Sequence, residues 1–555
     1  MSQTEELLFL PVGGCREIGM NLNAYAYGNS QNRKWLLVDV GVTFGDDTTP
    51  GVDLIMPDVT FLETQRDKIE GIVLTHAHED HIGAIAHLWP RLRAPLYATP
   101  FTAALIREKL REQGLDRDVL LHEVSLNDKR QIGIFDIEFV TLTHSIPEPN
   151  GLAIRTPAGL IFHTGDWKLD PNPMLGDNFD EPKIKAMGEE GVLAIVCDST
   201  NVFEEGESGS EKTVRENLIR VVGEQTGRVA ITTFASNVAR LESCCIAAME
   251  NERSVVLVGR SMFRITDAAK SVGLLKGVNF VDAEDAEHLP PENVLYLCTG
   301  SQGEPRAALS RISQGSHPQV SLGEGDVVLF SSRVIPGNEK GIFELQNNLA
   351  DRGVKLITDR QEMIHVSGHP CRDELSQMYT WARPKIAVPV HGERRHIIEH
   401  ARFAKSLQVP EAVTPDNGQI IRLAPGPAEV VDEVPTGRLY LDGNRLTPEL
   451  AAGMQERRRL SWSGYISVAV AIDEKGRVKD GPFVTARGLS EEDGSAADES
   501  LEMLDEAAET AVEALSFKDI QDDDVLEKRL LRAVRKAADE VFGKRPLIDV
   551  IVLRV

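Results

Sequence analysis

The run His76-Ala77-His78-Glu79-Asp80-His81 constrains the fold of this chain more than any other feature. It follows an apolar stretch, Gly71-Ile72-Val73-Leu74, that reads as a strand, and it precedes a helix-like segment over residues 82–88. Imidazole and carboxylate donors at this density suit Zn²⁺, with Mn²⁺ or Mg²⁺ open where oxygen donors are many. A surface turn that is merely rich in histidine is a poor account of such a run between strand and helix. Each ion wants four or more donors, however, so the run alone is incomplete. The fold must therefore carry further ligands to it from elsewhere in the chain.

The sequence offers three candidates: His144 in Thr143-His144-Ser145, Asp166 in Thr164-Gly165-Asp166, and His391 in Val390-His391-Gly392. Each follows an apolar run and lies beside a small residue that lets the backbone approach closely. Strand-like runs cover residues 22–27, 35–40, 71–75, 134–143, 160–163 and 192–197, with a helical period over 101–113. Functional side chains on loops at strand ends are the usual way a rigid scaffold presents chemistry.

From about Gly206 the rhythm changes to strand–helix alternation. Strands at 229–233, 254–259, 294–298 and 326–331 alternate with helices at 238–251, 262–275 and 342–352, which implies a parallel α/β unit. A helix at 374–382, a strand at 386–390 and a helix at 395–406 follow. A Pro/Gly-rich stretch from Ala424 to Gly437 marks the way out of the catalytic region. Beyond it, a strand at 466–472, an acidic loop around Glu491 to Ser500, amphipathic helices such as 526–542 and a final strand at 547–553 describe a separate small α/β domain. The expected boundaries are 1–207 for the first part of the catalytic domain, 208–372 for an inserted domain and 373–427 for the second part. Residues 428–455 are then a linker and 456–555 a C-terminal domain.

At 555 residues the chain is too long for one core. Its 42% hydrophobic and 26% charged content is ordinary for a soluble globular protein. No apolar stretch approaches the ~20 residues that span a bilayer. The acidic start, Thr4-Glu5-Glu6, lacks the basic residues of a leader, so a cytoplasmic location is expected. The six cysteines are scattered without a CxxC pair, as for buried thiols in a reducing compartment. A net charge of −26 argues against a passive nucleic-acid coat. It does not exclude a metal nuclease, because a local field differs from net charge and bound cations offset carboxylates.

Taken together, HxHxDH, a later His, Gly-Asp after a strand and a final His resemble the metallo-β-lactamase superfamily. Asp39, in Leu36-Leu37-Val38-Asp39, matches that family's early Asp, which orients the metal loop. The long insertion between Asp166 and His391 resembles the β-CASP branch, which acts on nucleic acids. Within that branch, His365-Val366-Ser367-Gly368-His369, the segment from Thr299 to Pro305, Ser331-Ser332 with Ile335 to Glu339, and Pro389 to Glu393 resemble the bacterial ribonuclease J family. The resemblance covers essentially the whole chain. It implies an α/β fold: a metallo-β-lactamase αββα sandwich with an inserted parallel α/β (β-CASP) domain and a small C-terminal α/β domain.

Carried over by position, the resemblance implies one divalent ion held by His76, His78 and His144. A second would be held by Asp80, His81 and His391, with Asp166 bridging. Two ions about 3.5–4 Å apart serve a water-derived nucleophile, whose proton Asp80 would accept. His369 is the implied general acid for the leaving 3′ oxygen, and Asp198 would orient it. The implied activity is RNA hydrolysis 5′-to-3′ from a 5′ monophosphate, together with internal cleavage, in mRNA decay and rRNA processing.

A 5′-phosphate pocket would use His365, Ser367 and His369 around Gly368. Ser236 and Asn237, just before a helix, either bind phosphate there or simply cap the helix. Phe44 either stacks on a base or fills a core. The implied partners are single-stranded RNA, further copies of the chain in a homodimer or higher homo-oligomer assisted by the C-terminal domain, and other RNA-decay proteins, with no membrane. A small-molecule hydrolase on the same fold needs neither the insertion nor a phosphate pocket. A DNA nuclease of the same branch stays open, since the sequence does not show how a 2′-OH is read. Intact ligands at all seven positions disfavour a non-catalytic scaffold.

Overall fold

A strand that is apolar along its whole length must be covered on both faces. Glu6–Gly13 is such a strand, buried at every residue after Glu6. In the computed structural model, which describes residues 4–489 and 496–555, it lies inside an eight-stranded sheet. The strand order there is Glu429–Glu433, Gln419–Ala424, Glu6–Gly13, Leu22–Gly28, Lys34–Val38, Ile69–Val73, Leu96–Ala98 and Leu121–Glu123. The chain divides into two compact units, residues 1–43 with 56–438 and residues 44–55 with 439–555.

In the first unit a seven-stranded sheet faces this one. Phe135, Phe139, Ile154, Val196 and Val388 from it interlock with Leu7, Phe9, Tyr25, Leu36 and Val73 in a common core. Its outer face is closed by the helices Glu181–Glu190, Arg372–Ala382 and Arg394–Ser406, through Ile184, Met187, Leu375, Met378 and Ala404. The helix Pro100–Glu112 packs outside the first sheet, completing four layers. Between the strands Val192–Asp198 and Ile386–Val390 the chain leaves to build a five-stranded parallel sheet. Its order is Ser254–Val258, Val294–Cys298, Val229–Thr232, Val327–Phe330 and Lys355–Thr358.

The strands that matter for chemistry end on one rim. Gly159–His163, Val192–Asp198 and Ile386–Val390 pair in parallel, and Phe135–Thr141 runs the same way through its antiparallel neighbour Asn150–Thr156. Thr75 to His81, His144, Asp166, Asp198 and His391 therefore all follow or close strands that point toward that rim.

In the second unit a three-stranded sheet, Val478–Arg487, Tyr465–Ile472 and Leu547–Arg554, packs on the helices Ala496–Glu513 and Asp523–Phe542. Ile466, Val468, Val470 and Ile472 alternate inward against Leu504, Leu526, Leu530 and Val534.

Several expectations need correction. Residues 428–455, expected as a linker, contain the strands Glu429–Glu433, Arg438–Asp442 and Arg445–Pro448. The first of these is exposed at every residue, so it lacks the alternation that marks a strand; it is an edge held by backbone pairing to Gln419–Ala424. The Pro/Gly-rich Ala424 to Pro427 is accordingly the tip of this hairpin. Of the acidic loop expected around Glu491 to Ser500, residues 491–495 lie outside the described residues, and Ala496 already opens a helix. Residues 44–55, expected within the catalytic domain, belong to the second unit, with strands in a four-stranded sheet beside Arg438–Asp442. All six cysteines are buried and unbridged, and no described helix is long and apolar enough to cross a membrane.

Candidate metal centre

The loop after Ile69–Val73 is fixed before any ion is considered. Asp39, fully buried and held in the left-handed region at φ 64°, accepts from Thr75 N at 2.8 Å and from Thr75 Oγ1 at 2.9 Å. His81 Nδ1 donates to the same carboxylate at 2.7 Å. Thr75 Oγ1 in turn lies 3.0 Å from His76 Nδ1 and can accept its proton. One carboxylate thus orients His81 directly and His76 through a hydroxyl, turning both Nε2 atoms into the site; that of His76 is a lone-pair donor, and that of His81 becomes one once its proton leaves. Gly41 lets the loop lie close, since a Cβ there would stand 1.7 Å from the Asp80 carbonyl oxygen.

Three donor groups result among the described residues, each with ligand atoms within 4.8 Å of one another: His76–His78–His144–Asp166, Asp80–His81–Asp166–His391, and the smaller Asp166–Asp198–His369. In the first, His78 Nδ1 sits 3.1 Å from His76 Nε2 and 3.0 Å from His144 Nε2. A single proton on His78 can satisfy only one of these neighbours. His144 Nδ1 donates to the Gly368 carbonyl at 2.5 Å, so its Nε2 is also a bare lone pair. That approach needs glycine, because a Cβ at 368 would meet His144 Cε1 at 2.7 Å. Three ring nitrogens converge in a buried space with at most one proton among them, an arrangement that fits a bound cation.

In the second cluster, Asp166 Oδ2 is 3.1 Å from His81 Nε2 and Asp166 Oδ1 is 3.0 Å from His391 Nδ1. Asp80 Oδ2 stands 3.5 Å from His81 Nε2 and 3.6 Å from His391 Nε2. His391 Nε2 is buried without a hydrogen-bond partner, an unfavourable state that a cation would relieve. His391, like Asp39, is held in the left-handed region, at φ 52°. Such strain outside glycine gathers at functional sites. The donor set of both clusters therefore fits divalent cations.

Charge follows the same division. Burial pushes His76 and His144 well below the ordinary imidazole range, and it lowers His78 to about 4. Burial also acts against protonated His81 and His391. There the carboxylates win, Asp166 and Asp80 among them, and both imidazoles are raised. Burial raises Asp166, but the imidazoles of His391 and His81 outweigh it and hold the carboxyl well below its usual range.

Beside the clusters stands an imidazole–carboxylate dyad. His369 Nδ1 donates to Asp198 Oδ2 at 2.7 Å, and Asp198 Oδ1 is fixed by Thr200 N at 2.9 Å and Thr200 Oγ1 at 2.7 Å. Burial lowers the His369 pKa, but Asp198, Asp166 and Asp80 overcome it and raise the group to about 9. The His369 ring lies 5.1 Å from that of His144, centroid to centroid.

The remaining expected residues divide. Ser367 Oγ accepts from Asn201 Nδ2 at 2.8 Å and from His369 N at 3.2 Å. His365 Nδ1 lies 3.4 Å from Arg240 Nη1, and burial with that guanidinium lowers it to about 3. Asn237 is a helix cap: its Oδ1 accepts from Arg240 N at 2.9 Å and its Nδ2 donates to Glu211 at 3.1 Å. Its amide is thereby committed within the fold. Ser236 is half-buried in the turn before that helix. Phe44, 62% exposed, belongs to the second unit, so it fills no core.

Two groups escaped the sequence reading. Asn21, buried next to the glycine-flanked turn that precedes Leu22–Gly28, places its Nδ2 3.1 Å from the Asp80 carbonyl, 3.1 Å from His81 Nε2 and 3.0 Å from His391 Nδ1. Arg240, fully buried, pairs with Glu211 and reaches the Ile364 carbonyl at 3.1 Å, bracing the segment that carries His365 to His369. A polar residue inside a Gly-rich turn was a visible signal for Asn21. No local pattern marks Arg240, which reads as one charge on an amphipathic helix.

Comparison with known proteins bears on the same residues. A model for the ribonuclease J β-CASP domain matches residues 226–349, and one for the ribonuclease J C-terminal domain matches 452–555. A β-lactamase superfamily domain matches 34–186, and a Zn-dependent metallo-hydrolase RNA specificity domain matches 353–410. Ribonuclease J of Sinorhizobium meliloti is 45% identical over 558 residues, covering 100% of this chain and 98% of that one. Ribonuclease J of Corynebacterium glutamicum is 39% identical across 97% of this chain and 74% of its own length. Ribonuclease J of Mycobacterium tuberculosis is 36% identical across 98% and 96%. A crystal structure of a protein of unknown function from Enterococcus faecalis V583 aligns with a TM-score of 0.52 at 18% identity. It covers 75% of this chain and 100% of that one, a likeness of fold alone.

Proposed function

Because this chain belongs to the ribonuclease J family and is a metal-dependent ribonuclease, we propose that it cleaves single-stranded RNA at the rim described above, with two divalent cations in the two clusters. His76, His78 and His144 would hold one and Asp80, His81 and His391 the other, with Asp166 shared. Zn²⁺ is the first choice for this set, with Mn²⁺ or Mg²⁺ as alternatives. Such a pair supplies Lewis-acid charge at the scissile phosphate and an activated water.

The chain's own residues do the rest. Asp80, partly exposed at the edge of its cluster, accepts the proton of the attacking water. His369 keeps its Nδ1 proton on Asp198, so its Nε2 proton is the one delivered to the leaving 3′ oxygen. Asp198 favours the protonated ring and fixes its plane. The observation that carries this reading is the dyad standing beside two donor clusters that share one carboxylate.

The finer reading is 5′-to-3′ attack with preference for a 5′ monophosphate, together with internal cleavage, in RNA decay and rRNA and mRNA maturation. Ser367 supports it: having accepted two hydrogen bonds, its O–H is free in direction to donate to a phosphate oxygen. His365 and His369 flank it in sequence, while Ser236 and Phe44 are weaker candidates for contact with RNA. A homodimer or larger homo-oligomer in the cytoplasm, working with other RNA-decay proteins, completes the proposal. The test uses metal-loaded protein on end-labelled, matched transcripts with product mapping. Faster decay of 5′-monophosphorylated than 5′-triphosphorylated RNA is expected, and little cleavage of the equivalent single-stranded DNA. Equal rates at both 5′ ends would remove the pocket, and equal rates on DNA would remove the RNA assignment.

A further inference from the structure

Glu79 lies between the ligands His78 and Asp80, yet it belongs to neither donor cluster. Its carboxylate turns instead to two cations on different domains. Lys109 Nζ, on the helix Pro100–Glu112, lies 2.7 Å from both Glu79 oxygens. Arg264 Nη2, on the helix Arg260–Ser271 of the inserted domain, lies 3.1 Å from Glu79 Oε1. The two helices pack against each other, and Glu108 on the first also faces Arg264. The contact thus joins the metal loop, the outer layer of the catalytic domain and the insertion through one side chain.

Its position in the topology gives it leverage. The insertion is entered after Val192–Asp198, and its edge strand Lys355–Thr358 leads back toward Arg372–Ala382. Helix Arg260–Ser271 follows Ser254–Val258, the strand at the opposite edge of that sheet. The chain crossings hold one side of the insertion, and the Glu79 contact holds the other. Arg264 also makes the contact at a cost, for its Nε is buried without a hydrogen-bond partner. A residue placed against local stability in this way points to function.

We propose that Glu79 is a positioning residue that clasps Arg264 and Lys109, holding the far side of the inserted domain against the metal loop while RNA is bound. His369 and Asp198 sit on the chain-crossing side, so releasing the clasp loosens the grip on RNA without displacing the acid. The consequence belongs in KM for a polymer, and it is absent for a substrate too small to touch the insertion. This role rests on the ribonuclease reading for its RNA measurements, whereas hydrogen exchange reads the clasp itself.

The variants are Arg264→Glu, which opposes Glu79, Arg264→Lys, which keeps the charge, and Arg264→Glu combined with Glu79→Gln, which removes the opposition. Three quantities are compared in the full-length, metal-loaded protein: kcat and KM on single-stranded RNA, the rate on bis(p-nitrophenyl) phosphate, and amide exchange over residues 76–83 and 260–271. For Arg264→Glu, KM on RNA rises about threefold to tenfold, as expected for reversing a partly exposed ion pair. Its kcat and its rate on the small diester stay within about twofold of the unaltered protein. Exchange in both segments quickens. Arg264→Lys restores most of KM, and the double variant recovers part of it together with the protection. Unchanged exchange in Arg264→Glu overturns the clasp whatever the activity, as does a double variant no better than the single. If exchange responds as expected but the unaltered protein does not cleave RNA, the ribonuclease reading fails and the clasp stands.

Discussion

The two halves of the candidate centre are built on opposite electrostatic plans. His76, His78 and His144 share one carboxylate, and burial keeps all three imidazoles unprotonated. His81 and His391 also lose to burial, but Asp166 and Asp80 beside both, with Asp39 beside His81 and Asp198 beside His391, outweigh it and raise them. The first half therefore presents lone pairs to a metal without further change. In the proposed two-cation centre the second would have to release protons for a cation to enter, which would couple its affinity to pH. Neutral nitrogen donors on one side and oxygen-rich, proton-holding donors on the other make the halves unequal in the cations they favour. Asp166, common to both, makes them one centre.

Removing Asp166 is the largest way to break the comparison. Asp166→Asn should empty both halves and lower turnover beyond about 10⁴-fold, since nucleophile and charge stabilisation go together; steady-state rates with metal analysis check this. His369→Ala spares both halves: bound metal is retained while turnover falls roughly 10²–10⁴-fold. Loss of metal in that variant would make His369 a ligand rather than the acid. Asp39→Asn weakens metal binding about 10–100-fold. The loss should be greater in the second half, where Asp39 touches His81 directly, than in the first, which it reaches through Thr75. Competition with a chelator measures both.

The smallest effect is a matter of pH. A ligand whose pKa is raised keeps its proton to higher pH, so the cation must displace that proton as pH falls through the raised value. The second half should accordingly lose its ion before the first on acidification. In the same direction, with His369, raised to about 9, as the proposed acid, Asp198→Asn should move the alkaline limb of the rate profile to lower pH.

How much of this was legible in the sequence depends on the range of the interactions. The run from His76 to His81 is local, and the candidate donors His144, Asp166 and His391 follow recognisable apolar strands; the fold brings them together with the run. For Asn21 only the turn was visible; its partners, Asp80 and His81 in the motif and the distant His391, come together only in the fold. Arg240 carried no local signal: its partners Glu211, Ser331 and Ile364 come from three different parts of the chain. The hairpin of Gln419–Ala424 and Glu429–Glu433 stayed hidden because an exposed edge strand carries no hydrophobic pattern. For Asn237 the sequence allowed two roles, and the hydrogen bonds to Arg240 and Glu211 commit it to the cap. Glu79 was legible as part of the motif but not as a contact of the insertion, which lies far along the chain.

The most direct test of the central claim is the metal content per chain, measured by elemental analysis on the unaltered protein, His391→Ala and Asp166→Asn at one pH. Two unequal halves joined by one carboxylate predict two ions in the unaltered protein, one in His391→Ala and none in Asp166→Asn. A single ion in the unaltered protein, or two ions that survive Asp166→Asn, would contradict it.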